Sequence, residues 1–92
     1  MINIFLQKRL KELKRTLPHL IIKYHIGKRN DTLTYIYIYI SKDDFPTDKR
    51  ILLFMKKLET DVFENFNNYS IHFVDKNYIS QNLNDRIFKD VD

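Results

Sequence analysis

The 92-residue chain contains no cysteine, one glycine and two prolines. The lack of cysteine rules out disulfides, thiolate metal sites and cysteine nucleophiles together. With Gly27 as the sole glycine, glycine-rich phosphate loops and the RNP motifs of RRM domains are ruled out as well. Long apolar runs are also missing. The longest, "HLII" and "RILLFM", fall far short of the roughly 20 residues of a membrane-spanning helix, so no membrane partner is expected. The opening "MINIFLQKRLKELKR" places apolar residues ahead of positive charge, the reverse of a secretory signal, and the expected location is cytoplasmic. Ser41, Ser70 and Ser80 lie in no elbow-like context, so serine hydrolysis is not expected.

What is present is a hydrophobic content of 43%, including seven Phe and six Tyr, enough for one packed domain over residues 1–92. The net charge of +4 is unevenly spread. Residues 1–30 hold eight basic side chains against Glu12 alone, while the rest of the chain holds eight basic and eleven acidic. Such a split points to a polyanionic or acidic partner for the first third.

Periodicity gives the elements. Ile2, Phe5, Leu6, Leu10, Leu13 and Leu17 recur at helical spacing, with Lys8, Lys11, Lys14 and Arg15 on the opposite arc, and Leu17-Pro18 ends this helix. Period two follows from His19 to Ile26, then "GKRNDT" reads as a hairpin loop. The stretch "TLTYIYIYIS" is a second strand with isoleucine on one face and Tyr35, Tyr37 and Tyr39 on the other. After "SKDDFPTD", where Ser41, Asp43, Asp44 and Thr47 are candidate N-caps, Ile51, Phe54, Met55, Leu58, Val62 and Phe66 mark a long helix. Leu53 stands on its polar side. Residues 69–75 read as a third strand, and Ile79, Leu83 and Ile87 predict a short C-terminal helix or arm within residues 77–92.

The order α-β-β-α-β-α predicts an α/β (α+β) two-layer sandwich, a ferredoxin-like or KH-like half. It has a three-stranded sheet with both long helices on one face, and Leu13, Ile22, Ile38, Leu58 and Phe73 share its core. The other face is left bare, carrying Lys23, His25, Tyr35, Tyr37, Tyr39 and His72. The element order is similar to that of type II KH domains, which clamp RNA with a G-x-x-G loop that this chain lacks. It is also similar to the cytosolic domains of cation-diffusion transporters, whose histidine-bearing last strand "IHFVD" at Ile71–Asp75 resembles.

Asp43, Asp44 and Asp48 suit Mg²⁺ as a carboxylate cluster, but such residues also cap helices, and capping is the expected role. His25 and His72 share the bare face without the third ligand that zinc needs. No metal, cofactor or catalytic residue is therefore expected, and a metal-dependent enzyme is a distant third reading. The expected function is a binding module for nucleic acid, RNA or single-stranded DNA. Lysine and arginine (Lys8, Lys11, Lys14, Arg15, Lys23, Lys28, Arg29) contact phosphate, while Tyr35, Tyr37 and Tyr39 beside His25 and His72 stack bases. The alternative is a protein-interaction or homodimerisation module packing through the tyrosine face.

Overall fold

The computed structural model describes residues 1–28, 31–41, 48–82 and 88–91, the side chains of 28 and 80–82 excepted. It is a mixed α+β fold. The elements run α1 (Ile2–Thr16), β1 (Ile22–Lys28), β2 (Thr34–Ile40), α2 (Lys49–Asn65), β3 (Tyr69–Val74), α3 (Lys76–Asn82) and β4 (Lys89–Asp90). The sheet has four strands in the order β3-β2-β1-β4. β1 pairs antiparallel with both β2 and β4, and β2 pairs parallel with β3 through the α2 crossover.

The three-stranded expectation is corrected by β4. Its pairing of Asp90 with Lys23 and Lys89 with Tyr24 adds a strand after α3, where helix alone is expected. The amide of Val91 donates to Ile22 O, and Val91 is buried in the main core. The apolar repeat that predicts a longer terminal helix continues at Leu83 and Ile87, which lie outside the described residues.

α1 lies over β1 and α2 over β3, on one face of the sheet. Leu6, Leu10, Leu13, Ile22, Tyr24, Ile36, Ile38, Leu58 and Val62 are buried together, with Phe73 packed against them. The core named from periodicity is therefore assembled as expected. Arg9 of α1 pairs with Asp61 of α2 and rests on the Phe5 ring, which ties the two helices side by side. Tyr24 is the largest fully buried side chain. Its hydroxyl donates to Asn3 Oδ1 at 2.8 Å and accepts from Gln7 Nε2 at 2.7 Å, so its burial beneath α1 leaves no polar atom stranded.

Two local readings change. Gly27 lies inside β1 without a positive φ. A Cβ there would stand 3.0 Å from His25 Nε2, so glycine makes room for the histidine ring rather than for a turn. The N-cap of α2 is Asp48, whose carboxylate accepts from the amide of Arg50 at 2.9 Å. Ser41 is instead buried, accepting from the amide of Ile21, and Asp43, Asp44 and Thr47 lie outside the described residues. The positive φ of 69° at Asn68 closes the turn into β3, where an asparagine tolerates the left-handed region.

Candidate functional site

Strand pairing fixes the tyrosine face as three cross-strand rows. Gly27, Tyr35 and Ser70 form one, His25, Tyr37 and His72 the next, and Lys23, Tyr39 and Val74 the third. Because β3 pairs with β2 and not with β1, Tyr37 stands between the two histidines and keeps them apart. The Tyr37 ring is stacked with His25 at 6.3 Å and with His72 at 5.7 Å, and Tyr35 meets His72 at 4.9 Å. The His72 Nε2 shares a 3.0 Å hydrogen bond with Ser70 Oγ. Among the described residues no group of three or more His, Asp or Glu is placed to hold a metal ion.

The expected bareness of this face is corrected. Val74, Ile79 and Phe88 form a second buried cluster on it, with Tyr37, Tyr39 and Tyr78 packed against them. Tyr78 of α3 stacks on Tyr37 at 5.9 Å, and Phe88 meets His25 at 5.8 Å. The physical reason is that Tyr37 and Tyr39 offer large apolar ring surface, and the apolar residues of the C-terminal segment bury it. What stays open is a groove beside α3, lined by Tyr35, Tyr37, His72, Asp75 and Tyr78. Asp75 caps α3, accepting from the amide of Tyr78 at 2.8 Å.

The basic residues group elsewhere. Lys8, Lys11 and Arg15 are exposed on α1, on the arc facing away from the sheet. Lys14 is half-buried, and its ammonium donates to the Leu20 carbonyl. Lys23 lies on the tyrosine face, 3.8 Å from Asp90. The Lys28 side chain and Arg29 lie outside the described residues. Sheet and helix layer together separate the α1 arc from the tyrosine face, a helix alone being about 10–12 Å across. The structure thus brings Tyr35, Tyr37, His25 and His72 together, and sets Lys8, Lys11 and Arg15 on the far side of the molecule.

Tertiary contact adds cations that periodicity does not assign to the site. Arg50 and Lys57 of α2 line a groove with Glu12 and Thr16 of α1. α1 and α2 together hold nine basic and four acidic residues, an excess of five against +4 for the whole chain, so the net charge resides in the helix layer. Arg50 forks onto Asp48, its Nη2 at 2.9 Å from Oδ2. This contact holds the Asp48 carboxyl below its usual range and raises the guanidinium. The polar arc of α2 is legible in the sequence, but its position beside α1 is not.

No match to this chain is found among family models, curated proteins or solved structures. Among the described residues no helix is long and apolar enough to cross a membrane.

Proposed function

We propose that the chain is a non-enzymatic binding module that takes the phosphate backbone of a nucleic acid on the outer surface of α1 and α2. The observation that carries this reading is the concentration of the entire net positive charge in the helix layer formed by α1 and α2. Phosphate contacts by lysine and arginine supply most of the non-specific affinity for nucleic acids. Four carboxylates have structural partners: Asp48 and Asp75 cap helices, Asp61 holds Arg9, and Asp90 faces Lys23.

The test is fluorescence anisotropy with a single-stranded RNA oligonucleotide at several salt concentrations, on the wild type and on Lys8→Glu/Lys11→Glu/Arg15→Glu. The three side chains are exposed, so far-UV circular dichroism should stay native. The substitution should abolish measurable binding at moderate salt, and at low salt the log–log salt slope should fall by about 2, near 0.7 per single-strand phosphate contact. Tyr37→Ala, on the opposite face, should leave affinity unchanged. Equal affinity in wild type and triple variant would dismiss the helix layer as the contact surface. A second reading, stacking of a base in the groove of Tyr35, His72 and Tyr78, is favoured by the open rings there. It is distinguished by a loss of about 1–3 kcal/mol in Tyr35→Ala.

A further inference from the structure

α2 carries three large apolar side chains that its packing on the sheet does not use: Leu52, 50% exposed, Leu53, 67% exposed, and Phe63, 83% exposed. At 3.6 residues per turn, Leu52, Lys56, Glu59 and Phe63 fall on one stripe, about a third of a turn from the buried arc of Ile51, Leu58 and Val62. The other flank of α2 meets α1 through Asp61 and Phe54. Since α1 lies over β1 and α2 over β3, the stripe looks outward past the edge of the sheet.

The strand beneath it is β3, an edge strand. Among the described residues no strand pairs with its outer side, and "YSIHFV" has no charged residue and no proline. Natural edges are normally guarded by lysine, proline or a bulge, because bare ladders recruit other chains. The core-side residues Tyr69, Ile71 and Phe73 are only half-buried, whereas Ile36, Ile38 and Ile40 on β2 are fully buried. The core is thinnest at this edge.

The stripe is complementary to itself. Turned antiparallel about the point midway between Lys56 and Glu59, it sets Leu52 against Phe63 and Lys56 against Glu59, each pair occurring twice. We propose that a second copy of this chain occupies this edge, with β3 pairing antiparallel to β3 and α2 packing on α2 about a two-fold axis. With α2 over β3 in each copy, joining the two edges brings the two α2 stripes side by side across the axis. The axis leaves both helix layers on one side, which makes a single extended basic surface. The dimer itself does not rest on the nucleic-acid reading.

The test is molar mass by sedimentation equilibrium on the full chain at rising concentration. The wild type should dimerise, and Phe63→Glu should stay monomeric with an unchanged circular dichroism spectrum. Lys56→Glu and Glu59→Lys should each weaken self-association by about tenfold or more, since each sets like charges opposite. Mixed in equal amounts, the two single variants should associate again, because each charge then meets its opposite across the axis. A wild type that is monomeric up to about 1 mM would overturn the proposal. So would a mixture that associates no better than its components, or a dimer that Phe63→Glu leaves intact.

Discussion

Removing the Tyr24 hydroxyl tests whether α1 is fastened to the sheet by the contacts described. Tyr24 is 1% exposed, and its hydroxyl makes two hydrogen bonds, both to α1. In Tyr24→Phe the ring still fills its place, so no cavity opens and the apolar burial is kept. What is lost is two hydrogen bonds, each with a net worth of about 0.5–1.5 kcal/mol. Asn3 is exposed and Gln7 half-buried, so both amides regain water, which holds the loss to the lower half of the range, about 1–2 kcal/mol. For a domain of this size that corresponds to a Tm lower by roughly 4–16 °C. Urea melts followed by circular dichroism, with Tyr24→Phe, Asn3→Ala and the double variant, isolate the hydroxyl–Asn3 bond as a coupling energy. A loss below about 0.5 kcal/mol, or no coupling between the two positions, would refute the claim that this network joins α1 to β1.

Two further expectations concern α2. Leu58 is fully buried in the main core, so Leu58→Ala should cost about 2–5 kcal/mol in the same melts, and a near-zero change would mean α2 is not packed on this sheet. Asp48, whose folded-state carboxyl is held below its ordinary value of 3.8 by Arg50, contributes stability that is complete above that value and lost as pH falls through the lower folded one. The stability difference between wild type and Asp48→Asn should therefore be constant at neutral pH and shrink under acid. A difference that does not change with pH would remove the Asp48–Arg50 contact from the account.

The helices α1 and α2, the alternation in β1 and β2, and the membership of the main core are legible in the residue order. Those depend on local periodicity: a 3.6-residue repeat in Leu6, Leu10 and Leu13, and a two-residue repeat that sends Ile36 and Ile38 to one side and Tyr35 and Tyr37 to the other. The exposure of Leu53 on α2 was legible on the same ground. What lies opposite what depends on long-range pairing and packing. The two-residue β4 carries no period to read, and its place beside β1 follows from pairing across more than sixty residues of chain. That pairing, with α3, brings Phe88 and Tyr78 onto the tyrosine face, which the local pattern left bare. The strand order put Tyr37 between His25 and His72, because a parallel crossover through α2 joins β3 to β2. The same layering set the lysines of α1 and the tyrosines of β2 on opposite sides of the sheet. A charge count along the chain and an aromatic count along a strand say nothing of the distance between them, because sequence neighbours in successive elements diverge to whichever face buries their apolar side.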